Sequence, residues 1–202
     1  MTDSNVLIES PRLQLSYFSH TNDEHCDFIV ELYNTPLFIS TEGKTSITTR
    51  EAAQKYIENR FEKEYARNGY GTYLISLKPD SPNQEPTSIG SLSLSKGDSP
   101  ESFALPDIGF ALLPDVTGKG YATEAAQAVL QYAKEKFGLT EYFGFTNRVN
   151  DPSRKVMLRL GMESRGIWKV RCFGGHESEV FVAPGMGTLS QYGIEDNCKV
   201  SE

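Results

Sequence analysis

Cysteine is scarce in this chain of 202 residues, with three copies and no Cys-x-x-Cys pair. An odd count without paired spacing argues against a disulfide scaffold and suits a reducing compartment. The N-terminus also lacks a basic stretch followed by an apolar one, so we expect a cytoplasmic protein without a signal peptide. The three histidines do not cluster. Because His25 and Cys26 are adjacent, they would point in different directions on a helix, and no metal site is predicted.

Long apolar runs and basic clusters are missing as well. The longest apolar runs are a few residues, whereas a membrane-spanning helix needs about 20, so we expect no membrane span. Lys and Arg total 20 against 27 Asp and Glu, which gives a net charge of −7. Without a basic patch to track phosphates, nucleic acid is disfavoured as a partner. An acidic chain suits an amine or basic-peptide substrate, although acidity often serves only solubility.

What the chain does contain is a mixture of alternating and helical apolar patterns. The alternating segments predict strands at residues 12–18, 70–78, 89–95, 104–113, 142–146, 163–172 and 177–183. The helical segments predict helices at residues 23–33, 49–68, 121–137 and 152–160. A Thr48/Glu51 capping box and an Asp151 N-cap would begin the second and the last of them. This order predicts an α+β domain over residues 1–183, followed by a polar tail, residues 184–202, that is partly ordered at best.

The most informative segment runs from Asp107 to Ala125. In it a strand leads into the turn Gly118-Lys119-Gly120, and an alanine-rich helix follows. The first turn of a helix offers free N–H groups and positive dipole, and glycines allow close approach, so the segment can bind a phosphate. It does not fit the P-loop pattern, because Gly118-Lys119-Gly120 lacks the required spacing and the following Ser or Thr. It does not fit the Rossmann pattern either, because Thr123 stands in place of the third glycine. The alternative is an ordinary loop before a packed helix.

Three motifs in order resemble the GNAT superfamily of acyl-CoA-dependent N-acetyltransferases, over about residues 8–183. The turn at residues 117–122 resembles motif A, and residues 150–162 (NDPSRKVMLRLGM) resemble motif B. Residues 10–15 (SPRLQL) resemble the start of the branch that contains ribosomal-protein alanine acetyltransferases. The resemblance implies a mostly antiparallel twisted sheet flanked by about four helices. It implies a monomer or homodimer that moves an acetyl group from acetyl-CoA to a primary amine. A non-catalytic acyl-CoA-binding or sensing module is the alternative.

The resemblance also implies which residues hold the cosubstrate. The pantetheine arm would pair with the backbone of Phe110, Ala111, Leu112 and Leu113. The pyrophosphate would rest on the amides of Gly118, Lys119, Gly120, Tyr121 and Ala122, with Thr123 near. Asn150 and Ser153 match motif B positions that contact the cofactor, with plain helix capping as the alternative. Lys119 and Arg154 are candidates for the 3′-phosphate, and could equally be solvated.

The candidates for catalysis follow from what amine attack on a thioester needs: a proton acceptor and an oxyanion donor. The N–H of Leu112 is the candidate donor. Asp107 is a candidate base acting through a water, and His176 is another because a histidine titrates near neutral pH. A strand-end carboxylate and an exposed loop histidine are the alternatives.

Two residues depart from the superfamily pattern. Thr117 replaces the usual Arg or Gln of the turn, which removes a side chain but leaves the amides. Met157 stands where many members have a tyrosine acid, so water or another group would protonate the thiolate. An acyl-cysteine route through Cys172 is disfavoured, because the sequence places no base beside it. The acceptor amine stays open, with the aromatic residues 65–73 and Trp168 as candidates for its pocket.

Overall fold

The structure is a computed structural model that describes residues 6–79, 81, 83–99, 102–170, 174–195 and 198–200. Within these residues the strands are β1 (Leu7–Glu9), β2 (Leu13–Tyr17), β3 (Thr72–Leu77), β4 (Thr87–Ser95), β5 (Asp107–Leu112), β6 (Phe143–Thr146), β7 (Glu163–Val170) and β8 (His176–Val182). They form one sheet in the order β1-β2-β3-β4-β5-β6-β8-β7. Neighbours pair antiparallel except β5 and β6, which are parallel. The predicted class, a mixed and mostly antiparallel sheet with flanking helices, is confirmed.

The helices in the same part of the chain are α1 (Asp23–Tyr33), α2 (Pro36–Glu42), α3 (Arg50–Tyr56), α4 (Lys63–Asn68), α5 (Tyr121–Phe137) and α6 (Asp151–Arg159). A π-helical stretch, Ile57–Glu62, joins α3 to α4 without a break. The sequence did not predict α2, since residues 34–36 were interpreted only as a stop. In the structure the Thr35 hydroxyl accepts the Phe38 N–H at 3.1 Å, and Pro36 begins the helix. One segment thus ends one helix and starts the next.

Two other helix starts lie one residue from their predicted positions. Thr49, not Thr48, caps α3, and its hydroxyl accepts the Ala52 N–H at 3.3 Å. Asn150, not Asp151, caps α6 by accepting the Ser153 N–H at 3.2 Å. Both segments contain consecutive residues able to cap, and the sequence pattern does not distinguish between such neighbours.

The sheet separates two apolar cores. Buried alanines of α5, together with Met157 of α6, pack on one face, and α1 and α3 pack on the other. Strand β3 supplies both cores, since Tyr73 and Leu74 belong to different clusters. That division follows from the alternation of side chains along a strand.

Residues beyond 183 also contribute to the core. Met186, Leu189 and Ile194 are at most 5% exposed and belong to the core under α5, in a segment that the sequence predicted as a partly ordered polar tail. Three apolar side chains spaced through polar neighbours give little periodic signal, although they are enough to attach the segment. The predicted domain boundary at residue 183 therefore does not coincide with an edge of the packed core.

No helix in the described ranges is both long and apolar enough to cross a membrane.

Candidate functional site

A cavity of about 1050 Å³ opens where the parallel strands β5 and β6 separate. They pair only through Asp107 with Phe143 and Ile108 with Gly144. Beyond these pairs β6 continues along β8, while β5 continues along β4. We call the gap between the diverging strands the β5–β6 fork. It gives an extended ligand an exposed strand edge inside an otherwise continuous sheet.

Backbone alternation decides which residues of β5 face the fork. The Leu113 N–H donates to the Ile89 carbonyl at 2.9 Å, so Leu113 faces β4. In an antiparallel ladder every second residue repeats this direction, so Ala111 also bonds toward β4. Phe110 and Leu112 therefore present their N–H and C=O groups to the fork. Of the four residues predicted to pair with pantetheine, Phe110 and Leu112 have backbone groups directed at the fork, whereas those of Ala111 and Leu113 are directed at β4.

The predicted phosphate turn lies at the end of β5. Gly118 and Gly120 have φ of 76° and 86°. Residues other than glycine rarely adopt this left-handed conformation. Gly120 begins α5 without any side-chain cap, so the first amides of this 17-residue helix, at Tyr121, Ala122 and Thr123, have no capping partner. Such amides and the helix dipole favour an anion.

One buried atom fits that ligand. The Thr123 hydroxyl is buried and finds no hydrogen-bond partner among the residues that the structure describes, although Thr123 lines the cavity. Buried hydroxyls are normally satisfied, and one beside free helix-start amides suits a phosphate oxygen. A Cβ on Gly118 would meet nothing within 4 Å, so the turn is also open on its outer side. The residues present therefore fit a pyrophosphate.

A brace from the first strands holds this turn. Arg12 donates from Nε to Glu124 Oε2 at 2.7 Å and from Nη1 to the Lys119 carbonyl at 3.1 Å. Ser10 donates to the same Glu124 carboxylate at 2.7 Å, and the guanidinium lies 4.5 Å from the ring centre of Tyr121. We call these contacts the Arg12 brace. They give a physical role to the sequence motif SPRLQL, which the sequence could assign only by resemblance.

The basic candidates for the 3′-phosphate lie elsewhere than the fork. Lys119 lines a separate, open hollow of about 620 Å³ with Arg12 and Arg159, on the outside of the turn. Arg154 is paired: its Nη2 donates to Glu179 at 3.3 Å, and its Nη1 lies 3.5 Å from Asp151. Glu179 is only 4% exposed and also accepts from Ser164, so this ion pair joins α6 to β8. Arg154 is thus held by protein carboxylates, and the structure does not bring it to the fork.

Motif B lines the cavity through the start of α6. Asn150 and Ser153 both belong to the wall, while the Asn150 side chain caps the helix. Met157 is 1% exposed and packs closely on β6, where a Cβ at Gly144 would lie 2.7 Å from its sulfur. Because a thioether donates no proton, this position offers no acid.

Asp107 lies at the start of β5 and lines the cavity opposite the phosphate turn. Burial, followed by the nearby negative charge of Glu64, raises the pKa of Asp107 to about 7. Glu64 is 4% exposed and accepts the Ser95 hydroxyl at 2.8 Å and the Lys96 N–H at 2.7 Å. Burial raises the pKa of Glu64 as well. A carboxylate whose pKa lies near neutrality is suited to accept a proton from an amine.

His176, the other candidate base, is exposed at the start of β8 on the cavity rim. Within the described residues it forms no ion pair, and its neighbours in the wall are Glu177 and Ser178. Cys172, the disfavoured nucleophile, lies outside the described residues. Asp107 is therefore the better-supported base.

Part of the cavity wall is aromatic, and sequence reasoning did not find it. Tyr33 stacks on Phe38 at 4.4 Å, and Tyr56 meets Phe61 edge to face at 5.1 Å. We call these four rings the aromatic wall. The aromatics proposed earlier belong instead to the core: Tyr73 is fully buried and Trp168 is 5% exposed. The helical spacing of Tyr56, Arg60 and Phe61 was visible, but it indicates a core-facing stripe equally well.

Comparison with known proteins places this geometry in a family. The acetyltransferase (GNAT) domain family matches residues 12–163. The uncharacterized N-acetyltransferase YnaD of Bacillus subtilis is 38% identical over 63 residues, which are 31% of this chain and 37% of that protein.

Solved structures agree in fold. The Salmonella typhimurium acetyltransferase that modifies the N-terminal serine of a 50S ribosomal subunit protein is 16% identical, with a TM-score of 0.64 over 88% of this chain and 98% of its own. The self-immunity acetyltransferase MccE, solved with acetyl-CoA and AMP, is 16% identical, with a TM-score of 0.65 over 86% of this chain and 92% of its own. The resemblance read from the three motifs is confirmed, and the chain belongs to the acetyltransferase (GNAT) domain family.

Proposed function

We propose that this protein is an N-acetyltransferase that moves the acetyl group of acetyl-CoA directly to a primary amine. The observation that carries the proposal is that one cavity contains an open strand edge, a turn with free amides, and a carboxylate with a pKa near 7. Thioester aminolysis needs a bound thioester, an oxyanion donor and a base. The turn would hold the phosphates of the thioester, the strand edge would supply the oxyanion donor, and the carboxylate would act as the base. Membership of the acetyltransferase family supports the same reaction.

Cosubstrate binding follows from the backbone rather than from basic side chains. Phe110 and the C=O of Leu112 would bond the pantetheine arm in the fork, as an added strand would, which leaves the Leu112 N–H for the thioester. The amides of residues 118–122 and the Thr123 hydroxyl would bind the pyrophosphate. Since amides bind without a formal charge, this arrangement can hold an anion in a protein with a net charge of −7.

The chemical step needs few groups of the chain. Acetyl-CoA supplies a thioester carbonyl carbon activated for attack. Asp107 accepts a proton from the amine, directly or through a water, as the new C–N bond forms. The Leu112 N–H donates to the carbonyl oxygen while negative charge develops there. As the C–S bond breaks, the leaving thiolate takes its proton from water, because Met157 cannot donate one.

The compartment, oligomeric state and partners proposed here are those expected from the sequence. We propose a cytoplasmic enzyme that acts as a monomer or homodimer on a soluble amine, without nucleic acid or membrane as partner. The net charge of −7 and the low cysteine count support these points.

The test is release of CoA thiol from acetyl-CoA in the presence of a panel of amines. We expect amine-dependent release by the wild type and a loss of about 10²–10⁴-fold in kcat for Asp107→Asn, the range typical of a general base. Asp115→Asn, which changes an exposed carboxylate at the end of β5, is the matched control and should retain activity. Thermal stabilisation by CoA without release on any amine would instead indicate a binding or sensing module.

A further inference from the structure

The cavity wall that holds the four rings also contains Arg60, which has no carboxylate partner in the described part of the chain. Arg60 and Arg159 line the wall and form no ion pair with any residue that the structure describes. Arg159 also lines the hollow at the phosphate turn, so Arg60 is the one that stands with the four rings. The residue is exposed. An unpaired guanidinium in a pocket wall is available to an anionic group of a ligand, and its planar fork matches a carboxylate.

Asp107 and Glu64 feel the charge of Arg60 but form no ion pair with it. Its positive charge lowers the pKa of Asp107 and of Glu64, so the three groups lie within electrostatic reach. Glu64, however, is buried and bonded to Ser95 and to the Lys96 N–H. Asp107, whose pKa is near 7, carries only part of a charge at neutral pH. A ligand placed between Arg60 and Asp107 would therefore meet a cation on one side and a proton acceptor on the other.

The helix that carries Arg60 is irregular at this point. Residues Ile57–Glu62 form a π-helical turn, which brings Arg60 and the adjacent Phe61 into the cavity wall together. Single π turns inside α-helices occur frequently at functional sites. Arg60 thus stands beside the aromatic wall, whose rings offer an apolar surface to a ligand.

We propose that the acceptor is an α-amino acid with an apolar or aromatic side chain, whose carboxylate binds Arg60 while its amine reaches Asp107. This inference rests on the proposed acetyltransferase function and names its substrate class. A polyamine would bring positive charge against Arg60 and would leave its guanidinium without an anionic partner. A peptide N-terminus has no carboxylate next to its amine, so it would leave Arg60 unused.

The experiment compares three acceptors that differ in one group: L-phenylalanine, L-phenylalaninamide and phenethylamine. They are assayed with saturating acetyl-CoA, and spermidine and an N-terminal serine peptide are run beside them. We expect a KM for L-phenylalanine at least about 10-fold below those of the amide and the amine, since charge-assisted bonds are the stronger ones. Arg60→Ala should raise that KM about 10-fold or more and leave the amide within about 2-fold.

Two further variants separate binding from folding. Arg60→Lys should recover part of the lost affinity, because an ammonium keeps the charge but not the fork. Lys55→Ala removes an exposed cation one turn earlier on the same helix and should change nothing. Calorimetric titration of L-phenylalanine into the CoA-bound protein gives a readout without turnover. Binding should weaken most in Arg60→Ala, less in Arg60→Lys, and not in Lys55→Ala.

The outcomes distinguish the substrate class from the function itself. Turnover of spermidine, the peptide or phenethylamine in preference to L-phenylalanine would overturn the proposed substrate class and leave the acetyltransferase function standing. An equal effect of Arg60→Ala on all acceptors would also overturn it. Absence of thiol release on every amine would remove the function, and the substrate class with it.

Discussion

At the scale of single residues, the account depends most on Asp107. Its carboxyl lies in the cavity wall at the start of β5, where burial and the charge of Glu64 disfavour ionisation. The sequence identified Asp107 as a candidate base from its position alone. It could not give the environment, because Glu64 comes from a helix more than 40 residues earlier and meets Asp107 only through the folded sheet.

The pH profile of the reaction tests this residue. Because the pKa of Asp107 is raised to about 7, kcat/KM should rise as pH increases through that value and the carboxylate forms. In Asp107→Asn the limb near pH 7 should disappear, leaving only the ionisation of the amine itself. Steady-state rates from pH 5.5 to 9 would measure it, and an unchanged limb in the variant would assign the base to another group, such as His176.

Stability should respond to the same carboxyl with a defined sign. The folded pKa lies above the unfolded value of about 3.9, so folding favours the protonated form. Stability from this group is therefore full below about pH 4 and is lost as pH rises toward about 7. Asp107→Asn should raise Tm more at pH 8 than at pH 5. Asp115→Asn, measured in parallel, should show no such difference, and an equal shift at both pH values would contradict the assignment.

Replacing Thr123 should change ligand affinity without lowering stability. Its hydroxyl is buried without a partner, so Thr123→Val should leave Tm of the free protein unchanged or slightly higher. In contrast, affinity for CoA should fall about 5- to 10-fold, the equivalent of roughly 1 kcal/mol for one lost hydrogen bond. Thermal scans with and without CoA measure both quantities. A loss of Tm without any change in CoA affinity would show that the hydroxyl serves the fold.

At the scale of elements, the Arg12 brace connects β2 to the start of α5. One guanidinium holds the Glu124 carboxylate and the Lys119 carbonyl, so the turn keeps its shape before any ligand arrives. Preorganised amides lose less entropy on binding an anion.

The positions of two helix caps were predicted one residue too early or too late. Thr48 and Thr49 are equally able to cap, and so are Asn150 and Asp151, so the sequence alone does not choose between them.

Removing the brace should weaken cosubstrate binding rather than chemistry. Since the guanidinium is about half exposed, its ion pair is worth roughly 1 kcal/mol, which converts to about 5-fold in KM for acetyl-CoA. Arg12→Ala should therefore raise that KM while kcat stays within about 2-fold. Arg67→Ala, which breaks an exposed pair with Asp98 away from the turn, is the control. A fall of about 5-fold in kcat for Arg12→Ala, with the KM for acetyl-CoA unchanged, would contradict a positioning role.

At the scale of the whole molecule, the sequence predicted the sheet, the phosphate turn and the family, because these depend on local periodicity and ordered motifs. It could not predict the fork, which exists only because β6 leaves β5 to follow β8, a strand more than 30 residues later. Nor could it predict the aromatic wall, since Tyr33 and Tyr56 come from different helices that meet around the cavity. The packing of Met186 and Ile194 was missed for the same reason.

The most direct test of the central claim is a crystal structure of the protein with CoA bound. The account predicts the pantetheine arm in the β5–β6 fork, bonded to the backbone of Phe110 and Leu112, with the pyrophosphate on the amides of residues 118–122 and within reach of the Thr123 hydroxyl. CoA bound in the outer hollow beside Lys119 and Arg159, with the fork empty, would contradict it.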